Sequence, residues 1–172
     1  MGFVLMTPFL LVRFGLLSIL GRGAVLRAAY FAPLQKREKA AYWVYQLSTA
    51  AIFLSLFFLR IRTAPSGLYA AGIAVYAAGI LLLAVTVCHF AVLSENGFNQ
   101  SGIYRLSRNP MYIAYFIIFL GCVLLTQSPL LLAFVLIFQI SAHWIIRSEE
   151  RWCREQFGKA YLQYMKRVRR YL

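Results

Sequence analysis

The chain has 172 residues, of which 62% are hydrophobic and 13% charged, and its mean hydropathy is +0.69. A soluble domain runs at about 45–50% apolar and about 25% charged, so the apolar surplus cannot be hidden in so small a core and lipid must solvate much of the surface. The net charge of +13 would point to nucleic acid in a soluble protein. Here the basic residues lie mainly between and after apolar segments, so anionic lipid headgroups are the expected partner and nucleic acid is not.

A helix needs about 20 apolar residues to cross about 30 Å of hydrocarbon. Residues 2–20 are the first such stretch, interrupted by Arg13, whose charge must face the bundle, snorkel or lie at the interface. The apolar start lacks a basic segment ahead of it and predicts a first helix rather than a cleaved signal peptide. Residues 40–59 form a second span ending at Arg60, and 67–93 a third, long enough to tilt or project. Within the third, Ala70, Ala74 and Ala78 recur at i+4 with Gly72 and Gly79 nearby, a composition that lets helices approach closely in lipid. Residues 111–126 and 130–146 form a short fourth and a fifth span. Gln127-Ser128-Pro129 joins them in a tight hairpin.

The expected fold is therefore all-α, a polytopic membrane protein of about five transmembrane helices with a C-terminal helical hairpin and an amphipathic tail. One domain is expected over 1–172, with three helices in 1–93 and a loop, hairpin and tail in 94–172. Segment 21–39 carries Arg22, Arg27, Lys36, Arg37 and Lys39, and the 147–172 tail carries eight Lys or Arg. The 60–66 loop has only Arg60 and Arg62, and the 127–129 turn has none. The positive-inside rule then places 21–39, 94–110 and the tail in the cytosol, so the two most polar segments meet on one side. Cys88, Cys122 and Cys153 show no C-x-x-C spacing and no disulfide framework. His89 and His143 are too dispersed for a metal site.

Three constellations can carry chemistry. The segment Ser101–Tyr112 holds Gly102, suited to a turn, and Asn109-Pro110, suited to a helix start. Its free N–H groups and Arg108 suit a carboxylate, and Tyr104 and Tyr112 suit a cation or flat base. The stripe Gln139, His143, Arg147, Glu150, Arg154 advances by 4, 4, 3 and 4 along one helical face. It can line a polar site, or pair internally with Arg147 and Arg154 flanking Glu150. The tail adds Glu149 beside Glu150, then Phe157, Tyr161 and Tyr164 with a run of Lys and Arg, the pattern of an interfacial helix.

These residues resemble the isoprenylcysteine carboxyl methyltransferase and phospholipid methyltransferase superfamily of integral membrane enzymes. Its pattern G-x-Y-x-x-x-R-H-P-x-Y is met by Gly102, Tyr104, Arg108, Pro110 and Tyr112, with Asn109 in the place of the His. A Glu pair, Phe-Gly eight residues later, and the Tyr, Tyr, Val spacing are met by Glu149-Glu150, Phe157-Gly158, Tyr161, Tyr164 and Val168. The resemblance covers residues 95–172. It implies an S-adenosylmethionine-dependent methyltransferase acting on a lipophilic acceptor: an isoprenylcysteine carboxylate, a phospholipid amine, or another lipophilic thiol or amine. It implies cofactor binding by Gly102, Ile103, Tyr104, Arg108, Asn109, Tyr112, Glu149 and Glu150, and catalytic roles for Arg108, Glu150 and Arg167. Two departures bear on the acceptor. Asn109 stands where the eukaryotic carboxyl methyltransferases have His and cannot take up a proton near neutrality. The sequence also reads Arg170-Tyr171-Leu172 where many relatives continue through a Pro. The competing expectations are an NADPH-dependent membrane reductase of the sterol type and a small transporter or assembly protein.

Overall fold

The computed structural model describes residues 1–21, 23–92 and 97–171, with the side chains of Lys36 and Arg37 excepted. Of the segments assigned from charge, Arg22, those two side chains, and residues 94–96 of the 94–110 loop lie outside this description.

The described residues form helices and no strand beyond an isolated bridge. Helix α1 spans Gly2–Leu20 and passes from a 3₁₀ turn through α-helix to a π-helical stretch, Leu11–Leu16, before regaining α geometry. A short α2, Ala24–Ala29, follows. Helix α3 is Lys36–Phe58, opened by a capping box in which Glu38 accepts from the Gln35 N–H at 2.7 Å. Helix α4 is Ser66–Ala91, α5 is Pro110–Thr126 and α6 is Pro129–Arg167.

Four helices, α1, α3, α4 and α6, are long and apolar enough to cross a membrane, and α5 is a shorter apolar helix of 17 residues. The all-α membrane architecture is thus as expected from the sequence, with α5 falling short of a full span. Pro110 and Pro129 both stand at helix starts, where a missing N–H costs nothing. The hairpin turn is closed by Gln127 in the left-handed region, φ 51°, and by Ser128, whose side chain accepts from the Leu131 N–H.

Helix α6 corrects one expectation. The fifth span continues unbroken into the tail as one helical run over residues 129–157, about 43 Å long at 1.5 Å per residue. That exceeds the roughly 30 Å of hydrocarbon, so its last turns project beyond the apolar core. Gly158, at φ 50° and ψ −125°, breaks the helical path and redirects the last turns.

Packing is set by small residues, by the two glycines of the expected set rather than its alanines. Ala70, Ala74 and Ala78 face outward, whereas Gly72 and Gly79 are buried. A Cβ on Gly79 would lie 2.8 Å from the Ile118 backbone nitrogen, and one on Gly72 2.9 Å from the Leu125 side chain. In return Gly121 of α5 faces Tyr76, where a Cβ would come within 2.6 Å of the Tyr76 Cα. The pairs 72/125, 76/121 and 79/118 define an antiparallel contact along the second half of α5. Helix α3 packs antiparallel on α6 through Tyr45 against Phe138, 5.1 Å between ring centroids, and through the Glu38–Arg151 ion pair.

Because backbone blocks the space at Gly121, Gly121→Ala is expected to lose about 1–3 kcal/mol. Ala74→Leu on the outward ladder should be neutral. Thermal melting in detergent distinguishes the two.

Candidate active site

The 3₁₀ turn Gly102–Arg105 leads into the start of α5. Gly102 has φ +57°, and a Cβ there would strike the His89 ring at about 2 Å, so this glycine serves a turn packed on α4. The segment after it pairs with the end of the chain past α6. Ser107 and Arg169 form a parallel bridge, with the Arg108 N–H donating to the Arg169 carbonyl at 3.0 Å. Ser107 Oγ and Asn109 Nδ2 both donate to the Arg170 carbonyl, at 3.2 and 3.1 Å.

At the centre of this junction Glu150 is 3% exposed. Arg108 meets its Oε1 through Nε at 3.1 Å and Nη2 at 2.8 Å. Arg170 meets its Oε2 through Nε at 3.0 Å and Nη2 at 2.8 Å. The third nitrogen of Arg108 donates to the Met165 carbonyl at 3.1 Å. Both oxygens of Glu150 and all three guanidinium nitrogens of Arg108 are therefore engaged inside the protein. Arg147 and Arg154 are exposed, and Arg147 lies over the Trp144 ring, so the expected internal pairing of the stripe gives way to pairing across elements. His143 bonds Tyr171 Oη at 2.8 Å, and neither it nor Gln139, Arg147 or Arg154 reaches the cavity described next.

Beside the junction is a cavity of about 630 Å³. Of the residues expected in a site, Tyr104, Arg108, Asn109, Tyr112, Glu149 and Glu150 line it. Gly102, Ile103 and Arg167 do not line it, and Gly102 and Arg167 are exposed. Arg170, three residues later, is the basic residue near the end of the chain that meets Glu150. The reason is local: helix α6 ends at Arg167 and Val168 is extended, which swings the next basic side chains round to Ser107.

Glu149 differs from its neighbour. It accepts one hydrogen bond, from Tyr112 Oη at 2.8 Å, and has no ion pair among the described residues. A half-buried carboxylate with no cation in direct contact favours a positively charged ligand. Facing it is an aromatic wall that includes Phe98, Phe157, Tyr161 and Tyr164, with Phe98 centroids 5.1, 5.2 and 5.6 Å from the other three. Tyr164 Oη donates to the Tyr104 carbonyl at 2.6 Å, fixing the wall to the turn. The first helices close the other side with Arg13, Arg27, Phe31 and Tyr45. Arg27 and Asn99 donate to the last carbonyls of α4, at Phe90 and Ala91, a C-terminal cap built from other elements.

A profile described as phospholipid methyltransferase matches residues 67–160. The chain belongs to that family. No curated protein and no solved structure matches it. Phospholipid methyltransferase membership and the apolar helices together make it an integral membrane methyltransferase acting on lipid-type acceptors.

Removing one partner of a buried ion pair leaves the other uncompensated, at roughly 3–5 kcal/mol. Glu150→Gln is therefore expected to lower the melting temperature in detergent sharply, because Arg108, 7% exposed, loses its counter-ion. Arg167→Gln and Arg154→Gln should melt like the parent.

Proposed function

We propose that the protein transfers a methyl group from S-adenosylmethionine to a lipophilic acceptor, with Glu149 as the ligand-facing carboxylate and Glu150 as the residue that assembles the site. The observation that carries this reading is the contrast within the pair: Glu150 has two arginine partners and Glu149, among the described residues, has no ion pair. The chemistry of the lining fits the cofactor. Glu149 suits its ammonium, the start of α5 at Asn109-Pro110-Met111 suits its carboxylate, and the aromatic wall suits a purine. When bound, the cofactor supplies an activated methyl group on a sulfonium.

The residues of the chain then have three tasks. They hold the acceptor in line, for which orientation alone can supply about 7–11 kcal/mol. They exclude water, for which the buried aromatic lining is suited. Where the acceptor is an amine, Glu149 is the carboxylate placed to take its proton; where it is a carboxylate, positioning suffices. Residues 1–172 are read as one catalytic unit because Arg13, Arg27 and Tyr45 line the same cavity as the family segment. The basic asymmetry of the loops assigns this end of the bundle to the cytosol, with the acceptor entering sideways from the bilayer.

Glu149→Gln preserves shape and can still accept from Tyr112. A charge-assisted hydrogen bond is worth roughly 1.5–3 kcal/mol, so affinity for S-adenosylmethionine should fall by about 10–150-fold while the melting curve stays near that of the parent. Titration calorimetry on the detergent-solubilised protein is the measurement. Unchanged affinity in Glu149→Gln removes this carboxylate from the site. NADPH binding in place of S-adenosylmethionine binding by the parent protein overturns the whole reading.

A further inference from the structure

Arg13 sits in the apolar helix α1, within the π-helical stretch Leu11–Leu16, a geometry that recurs at functional sites. Its Nη2 donates to the Ala28 carbonyl at 2.7 Å. Its Nη1 is buried and bonded to nothing among the described residues, and so is Tyr115 Oη. Both residues line the cavity, and the Arg13 guanidinium lies 5.7 Å from the centroid of the Tyr115 ring. Arg13 has no ion pair among the described residues. A guanidinium inside an apolar span with a free buried nitrogen is a site for an anion by default. The family match begins at residue 67, so α1 lies outside it.

We propose that Arg13, with Tyr115, holds an oxyanion of the lipid acceptor. The inference rests on the reading of the cavity as a methyl-transfer site and adds the acceptor's anchor. Depth in the membrane selects the acceptor over the cofactor. Tyr115 lies five residues into α5 from Pro110, about 7.5 Å further along the helix axis. Tyr112, which bonds Glu149, lies between them, and its ring is 6.2 Å from that of Tyr115. The order from the motif end inward is thus Glu149 with Tyr112, then Tyr115 with Arg13. In an amine-bearing phospholipid the reacting amine leads and the phosphodiester lies nearer the acyl chains, which is the same order; in a prenylated cysteine the carboxylate is itself the reacting tip, and Arg13 then holds the nucleophile. The exposed Leu26 on the cavity's edge offers such a lipid an apolar rim. The shared chemistry is an oxyanion, either the phosphodiester of an amine-bearing phospholipid or the carboxylate of a prenylated cysteine.

The test measures binding by the full chain in detergent, so it does not depend on turnover. The probes are dihexanoyl phosphatidylethanolamine, an S-prenylated N-acetylcysteine, a long-chain amine without an oxyanion, and S-adenosylmethionine. The parent should prefer one of the oxyanion lipids over the long-chain amine, and which one identifies the acceptor class. Arg13→Met should weaken that lipid by about 10–150-fold, the range of a lost charge-assisted bond, and leave the amine and S-adenosylmethionine unchanged. Arg13→Lys, which keeps the charge without the fork, should fall between. Loss of S-adenosylmethionine binding with lipid binding intact would assign Arg13 to the cofactor and overturn the proposal. Equal affinities across parent and variants overturn it as well. If Arg13→Met fails to fold, the parent's preference among the three lipids and the Arg13→Lys affinity decide. Should the parent bind the oxyanion lipid but not S-adenosylmethionine, the methyl-transfer reading fails while the anchor stands.

Discussion

Everything at the functional end of the molecule depends on one buried carboxylate. Glu150 receives Arg108 from the start of α5 and Arg170 from the segment beyond α6, and these three elements meet nowhere else so tightly. Two cations on one anion leave the cluster with a net positive charge, so the desolvation cost is met by four charge-assisted contacts rather than by neutrality alone. With both oxygens occupied, Glu150 cannot also hold a ligand without giving up a partner. The adjacent Glu149 is thereby the carboxylate left to face the cavity. A Glu pair at consecutive helical positions points in two directions about 100° apart. Here one direction is used to build the site and the other to furnish it.

The second determinant is the glycine contact between α4 and α5. In lipid there is no hydrophobic force between helices, so close backbone approach and van der Waals contact must hold them together. Gly72 and Gly79 on one helix and Gly121 on the other permit that approach. It places the start of α5, with Asn109 and Pro110, against the end of α4, whose carbonyls are capped by Arg27 and Asn99. The cavity wall is thus positioned by contacts made well inside the apolar region.

Much of this was legible in the sequence. Apolar run lengths located the helices, and the Pro residues marked two of their starts. The meeting of the 102–112 segment with the tail followed from charge placement and is present as the Ser107–Arg169 bridge. Three things were not legible. Helical periodicity put Glu150 on a stripe with Arg147 and Arg154, but its partners come from 42 residues before and 20 after, which no local spacing can express. The choice of Arg170 over Arg167 depends on where the helix stops and the chain extends. The small residues of α4 were read as one set of alanines and glycines, and only the fold shows that the glycines, which lack a Cβ, make the contact while the alanines face outward. Arg13 lies between these cases: a lone charge in an apolar span signals a bundle-facing role, and only the fold says what it faces.

The shortness of α5 has a consequence for the bilayer itself. Its 17 residues measure about 25 Å, against about 30 Å of hydrocarbon. Such a mismatch is accommodated by local thinning of the membrane or by water and headgroups dipping toward the short element's end. The polar start of α5 lies on the cavity, so the boundary between water and lipid is drawn down to the cavity. An acceptor then reaches the site while its chains stay solvated by their neighbours. The enzyme brings the interface to the lipid and need not extract the lipid from it.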